Sequence, residues 1–144
     1  MRAVVQRALG ARVSVGGERV SGFEGPGLVV LAGMTHGDGP EQVTFLARKI
    51  AQLRILREER SAQDLAAPVL LVSQFTLYAD TRKGRRPSWH GAAPGPVAEP
   101  LVAALGRELA TYGLVVHDGV FGADMAVSFV NDGPVTILLD TAAP

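Results

Sequence analysis

Four branched apolar residues in succession, Val69-Leu70-Leu71-Val72, have the pattern of a strand buried on both faces. The run then becomes mixed. Carried on as a strand, its alternation puts Gln74 and Thr76 on one face and Ser73, Phe75 and Leu77 on the other. Polar groups at the end of a core strand need partners, in the protein or in a ligand. Ahead of this stretch, Ala3–Gln6 reads as a first strand. Arg12–Val15 and Glu18–Ser21 read as a hairpin about Gly16-Gly17. Glu24–Gly27 reads as a turn into a buried strand, Leu28–Met34. Asp38, Pro40 and Glu41 carry the signals of a helix start, with Asp38 as N-cap. Val43, Leu46, Ala47, Ile50 and Leu53 then recur at helical spacing, a stripe that runs to about Leu56. Residues 58–67 show no clear period and read as a loop.

Beyond the central stretch, Pro87 to Pro100 is rich in Pro, Gly and Ala and reads as surface chain with Trp89 as its one large residue. Leu101, Leu105, Leu109 and Tyr112 define a second amphipathic helix, closed by Gly113. Leu114–His117, Met125–Val130 and Val135–Leu139 read as strands, with Asn131-Asp132-Gly133-Pro134 as the turn between the last two. Seven or so strands and two helices predict a single α+β domain over residues 1–144. Its core is a mainly antiparallel sheet or barrel with the helices on one side.

Charge and composition narrow the chemistry. Fourteen basic and fourteen acidic residues balance, so any nucleic-acid contact must come from a local patch. That patch is Arg82-Lys83-Gly84-Arg85-Arg86, four cations in five residues directly after the mixed stretch. Its place at a strand end suggests a phosphate-bearing ligand. The chain has no cysteine, which removes disulfides, zinc–thiolate sites and iron–sulfur clusters. His36, His90 and His117 lack ligand spacing, and no nucleophile elbow, Walker A or dinucleotide fingerprint is present. No metal and no cofactor are expected. The absence of a signal-like or membrane-length apolar segment predicts a cytoplasmic protein with neither membrane nor DNA as partner. Of four Gly-Pro dipeptides, Gly133-Pro134 is set apart by lying between two strongly apolar segments. A rigid backbone there could select a ligand through its carbonyls alone.

Ser73-Gln74-Phe75-Thr76-Leu77 and Asn131-Asp132-Gly133-Pro134-Val135-Thr136 together resemble the two signature motifs of the D-aminoacyl-tRNA deacylases. The likeness extends to Met1–Arg7, Gly25–Leu28, Ala79–Thr81, Arg86–Ser88 and Phe121–Met125. It implies a homodimer that hydrolyses the ester between a D-amino acid and the terminal adenosine of tRNA, a proofreading step in translation. By the same resemblance, Gly133-Pro134 is cis and enters the partner subunit's pocket. Its backbone there rejects L-amino acids and admits glycine, so glycyl-tRNA is a further expected substrate. Ser73, Gln74, Phe75 and Thr76 would form the catalytic wall, Phe121 and Met125 would bracket the adenosine, and Arg82, Lys83, Arg85 and Arg86 would meet the tRNA. Two mechanisms fit: Thr76 as nucleophile, or backbone amides as an oxyanion hole with help from the RNA 2′-hydroxyl. The second is favoured because no base stands out to activate Thr76. Glu58–Leu65 departs from the family pattern, being shorter and without its Gly-Lys-Met-Asn-like turn. A non-catalytic RNA-binding module and a hydrolase of small D-amino-acid esters are the competing readings.

Overall fold

A computed structural model describes residues 1–143, so only Pro144 of the expected domain lies outside the described residues. The order of elements is β1 (Arg2–Val15), β2 (Glu18–Gly33), α1 (Pro40–Gln52), α2 (Ala62–Leu65), β3 (Val69–Ser73), α3 (Gly95–Thr111), β4 (Val116–Asp118) and β5 (Ala126–Asp140). The strands form one sheet in the order β4-β3-β2-β1-β5. β1 pairs antiparallel with both β2 and β5, whereas β2, β3 and β4 run parallel to one another. The α+β class holds, but the sheet is mixed and open, not an antiparallel barrel. Helical crossovers between β2, β3 and β4 impose the parallel pairs.

β3 is buried on both sides. Val69 and Leu71 join α1 and α3 in the larger core, with Leu46, Ile50, Leu105 and Leu109 as its bulk. Leu70 and Val72 face a second cluster, built from Val13, Phe23, Met125, Val127 and Phe129. This cluster exists because the far halves of β1, β2 and β5 curl over the outer face of the sheet. None of the four β3 side chains from Val69 to Val72 is more than 2% exposed. Such burial contributes roughly 1.5–3 kcal/mol per side chain.

Several expected breaks are absent. Ala3–Gln6 and Arg12–Val15 belong to one strand, and Glu24–Gly27 lies within β2. Register shifts beside Gly10 absorb the extra residues there, and Gly10 and Gly25 adopt φ of +72° and +75°. These are bulges in which glycine bends the strand without ending it. Asn131–Pro134 is likewise not a hairpin tip. It lies inside β5, where pairing with β1 jumps from Ala8–Asn131 to Gln6–Thr136.

The helix ends also differ. α1 is capped by Gly39, whose N–H donates to Gln42 Oε1 at 2.9 Å. Asp38 instead accepts from the Thr35 amide and pairs with the Met1 amino group, each at 2.7 Å. Residues 58–67, expected as loop, contain α2, capped by reciprocal bonds between Ser61 and Asp64. α3 begins at Gly95, six residues before the expected start at Leu101. Pro96 lies in its first turn, where no N–H is needed, and Pro100 is carried inside the helix. No helix among the described residues is long and apolar enough to cross a membrane.

Candidate functional site

β3 ends at Ser73, and the chain turns at once. Phe75–Tyr78 is a single 3-10 turn, not a strand continuation, so the expected shared face of Gln74 and Thr76 does not exist. The turn is pinned to the sheet by the Gln74 N–H, which donates to the Ala32 carbonyl at 2.8 Å. The approach is close: a Cβ on Gly33 would lie 2.8 Å from the Gln74 carbonyl oxygen, which is why glycine stands there. Inside the turn, Thr76 Oγ1 donates to Gln74 Oε1. Among the described residues, nothing accepts from the N–H groups of Phe75 or Thr76. They are the orphan donors that open a helical turn.

Two clefts flank this turn and share Ser73, Gln74, Phe75 and Gly122. The smaller, about 220 Å³, lies on the helix side between Met34, Ala93, Ala98 and Phe121. The larger, about 500 Å³, is bounded by Leu31, Asp124, Met125 and Phe129. Residues 119–125 are tied to the end of β3 by the Gly119 N–H, which donates to Leu71 O at 2.8 Å. Met125 Sδ accepts from the Val120 N–H at 3.4 Å. Phe121 and Met125 are thus brought beside Ser73–Phe75, one in each cleft. Thr76 is exposed and lines neither. Phe75 is 55% exposed and meets Trp89 edge-on, with ring centroids 5.3 Å apart. The sequence singles out Trp89 as the one large residue of its surface chain but gives it no partner, because only the fold returns residue 89 to residue 75.

The basic loop is closed by paired backbone bonds between Asp80 and Ser88, at 2.9 and 3.0 Å. Arg82 folds back on Asp80, its Nε and Nη2 donating to the carboxylate at 2.9 and 2.7 Å. The Arg82 hydrogen bond holds the Asp80 carboxyl well below the usual range. Lys83, Arg85 and Arg86 are exposed and make no ion pair among the described residues. Three of the four expected cations are therefore free, and the fourth is engaged. No group of three or more His, Asp or Glu that could hold a metal ion occurs among the described residues.

Gly133–Pro134 is elsewhere. Its peptide bond is cis, and it lies on β5, three strands from β3. That is about 14 Å at ordinary strand spacing. One chain does not bring it to Ser73–Phe75. The bulge is held by residues that sequence reasoning missed as a group. Arg7 Nε donates to the Asp132 carbonyl at 2.7 Å, and its Nη1 to the Ile55 carbonyl at 3.1 Å. Arg57 also binds the Asp132 carboxylate, and this hydrogen bond is the main reason that its pKa is lowered. Asn131 Oδ1 accepts from the Val135 N–H at 3.0 Å, and Asn131 Nδ2 donates to Thr136 Oγ1 at 3.1 Å. The signals for Arg7 are its place just after the expected strand Ala3–Gln6 and in the family-like opening Met1–Arg7, neither of which reveals a partner at residue 132.

Comparison with known proteins gives one consistent family. The family model for D-Tyr-tRNA(Tyr) deacylase matches residues 4–140. A D-aminoacyl-tRNA deacylase of Kineococcus radiotolerans is 69% identical over 97% of this chain and 99% of its own. Another of that name, from Beutenbergia cavernae, is 63% identical over the same shares. Among solved structures, one named c-Myc DNA Unwinding Element Binding Protein superposes with a TM-score of 0.91 at 39% identity, covering 98% of this chain and 99% of its own. A probable eukaryotic D-amino acid tRNA deacylase shares the fold, with a TM-score of 0.78 at 16% identity over 96% of this chain and 97% of its own.

Two outcomes follow from this geometry. Arg7→Ala leaves two carbonyls and Asp132 without a largely buried partner and should cost about 3 kcal/mol in urea unfolding. Arg57→Ala, at a side chain 70% exposed, should cost much less, because solvent screens that pair. Equal losses would contradict the assignment of Arg7 as the clamp. Burial, with Asp38 and Asp140 nearby, pushes the Tyr78 hydroxyl up to about 12. The folded state therefore keeps a proton that an unfolded tyrosine releases near pH ~10. Stability should fall as pH rises between about 10 and about 12, a fall that Tyr78→Phe should reduce in alkaline unfolding curves.

Proposed function

The chain belongs to the D-Tyr-tRNA(Tyr) deacylase family, and from that premise we propose that it acts, as one domain, on D-aminoacyl-tRNA in the cytoplasm. It hydrolyses the ester, releases free tRNA and the D-amino acid, and so removes wrongly charged tRNA before translation uses it. The observation that carries this reading is the turn after β3. Among the described residues the backbone N–H groups of Phe75 and Thr76 are unpaired, and Phe75 lines both clefts, beside Phe121 in one and Met125 in the other. Donors of this kind stabilise the oxyanion that forms when water attacks an ester carbonyl, and each typically supplies a factor of 10²–10³.

Thr76 is the weaker candidate for a nucleophile. Its hydroxyl donates to the amide oxygen of Gln74, and an amide cannot accept a proton as a base. We therefore assign Ser73, Gln74, Phe75 and Thr76 to positioning and oxyanion stabilisation. The vicinal 2′-hydroxyl of the RNA assists the attack, and no metal or cofactor takes part. Phe121 and Met125 bracket the adenine through apolar and sulfur contacts. Lys83, Arg85 and Arg86 meet tRNA phosphates, with Arg82 contributing less because Asp80 already holds it. The partner is RNA; neither DNA nor a membrane is assigned.

The cis Gly133–Pro134 unit acts across a homodimer. Within one chain it is three strands from the turn, whereas a second copy can carry it into the cleft. Its carbonyls then occupy the space that an L side chain would need, while glycine is admitted. Fixed backbone cannot yield as a side chain can, which suits a filter for chirality.

The test is release of amino acid from matched D- and L-tyrosyl-tRNA in the presence of a chelator. The D ester should be cleaved and the L ester left, with a rate that falls as salt rises. Thr76→Ala should keep the wild-type kcat within about threefold, well short of the loss that removal of a nucleophile causes. Collapse of Thr76→Ala to background would return Thr76 to the role of nucleophile. Cleavage of neither ester would leave a binding module, and salt-independent cleavage of esters without RNA would indicate a small-ester hydrolase.

A further inference from the structure

A third cleft, about 520 Å³, opens where α3 passes the edge strand β4. It shares Ser73, Val102 and Phe121 with the helix-side cleft beside the turn. From there it runs past Gly106 toward Arg107 and Ala110 on α3, with Val116 and Asp118 opposite. The floor is apolar: Leu71, Val102, Val116 and Phe121. The rim is charged, with Glu99 and Arg107 about 12 Å apart along the helix. Among the described residues, Glu99, Arg107 and Asp118 make no ion pair and no side-chain hydrogen bond. Gly106 sits in the helix interior with no positive φ, where glycine costs ~1 kcal/mol relative to alanine. What its bare backbone provides is room. A Cβ there would stand 3.4 Å from Asp118 Oδ1 and 3.6 Å from Leu71 Cδ2, filling the space between helix and strand. Asp118 stays exposed at the cleft rim, and its partial desolvation there raises the carboxyl above its usual range, only partly offset by His117. The group lacks a donor that would favour its charged form.

We propose that this cleft binds the nucleotide preceding the terminal adenosine, a cytidine in tRNA, and that Asp118 reads its base. The inference rests on the deacylase reading above. A strand leaving an adenosine held at Phe121 enters the third cleft directly, because the two clefts share that ring. Arg107 then meets the connecting phosphate, and the pyrimidine lies on Val102 and Val116. The cytosine N4 amino group donates to the Asp118 carboxylate, the pairing that acidic side chains make with cytosine. Uracil places an acceptor oxygen at that position and is disfavoured. The site thereby reads a base that every tRNA shares and ignores the amino acid.

The inference is tested with D-tyrosyl esters of the dinucleotides CpA and UpA, of adenosine alone, and of intact tRNA. Wild-type enzyme should show kcat/KM about tenfold higher for the CpA ester than for the UpA ester, the discrimination of one charge-assisted contact. In Asp118→Asn, whose amide can pair with either base, the ratio should approach one, while circular dichroism confirms the fold. A wild-type ratio near one, or a ratio unchanged in Asp118→Asn, overturns the proposal. So does a ratio that responds to Glu99→Gln but not to Asp118→Asn, since the carboxylate assigned would be wrong. Failure to cleave any of the four esters overturns the deacylase reading itself, and this inference with it.

Discussion

Burial of β3 on both faces is the constraint from which the rest of the structure follows. Val69 and Leu71 need a helix layer, and Leu70 and Val72 need a second cover, which the curled ends of β1, β2 and β5 supply. A strand held this way cannot shift in register without moving apolar groups into water. Its end is therefore a fixed point. Ser73 emerges there, Gln74 is fastened to Ala32, and the loop carrying Phe121 is fastened to Leu71. The turn and the loop carrying Phe121 are thus both anchored where β3 leaves the core.

The other end of the architecture is polar. Where β5 would pair with Arg7, four residues bulge out, and the side chain of Arg7 replaces the missing ladder bonds with bonds to Asp132 and Ile55. The Gly133–Pro134 peptide is thus presented on a braced projection at the edge strand. In the dimer proposed above, a cleft and a projection that lie too far apart to meet on one chain would become complementary when the chain meets its copy. Rigidity in both matters, since discrimination by contact fails wherever either surface can yield.

Legibility in the sequence followed the range of the interaction. The stripe of α1 and the buried run of β3 were read correctly because each is a local pattern of apolar residues. Ser73–Leu77 reads as strand because its polar–apolar alternation imitates one, while the turn is made by contact with Ala32 and Gly33. Gly10, Gly25 and Gly133-Pro134 carry turn signals, yet pairing with a neighbouring strand carries the backbone through as bulges. Gly95-Pro96 reads as surface chain by composition, although proline is at home in a first helical turn. α2 is four residues long, too short for periodicity to register. The family motifs named the residues of the candidate site. The clamp at Arg7, the Phe75–Trp89 contact and the retention of Arg82 by Asp80 depend on partners that only the fold brings together.

The central claim, that the turn after β3 is completed by Gly133–Pro134 of a second copy, is open to a direct measurement. The chain has no cysteine, so Phe75→Cys and Val135→Cys introduce the only thiols. A mixture of the two single variants is treated with a short bismaleimide and separated under denaturing conditions. A covalent dimer containing one chain of each variant, formed at a concentration where unrelated thiol proteins do not cross-link, is the result the account predicts. Two folded, thiol-reactive chains that stay uncross-linked would contradict it.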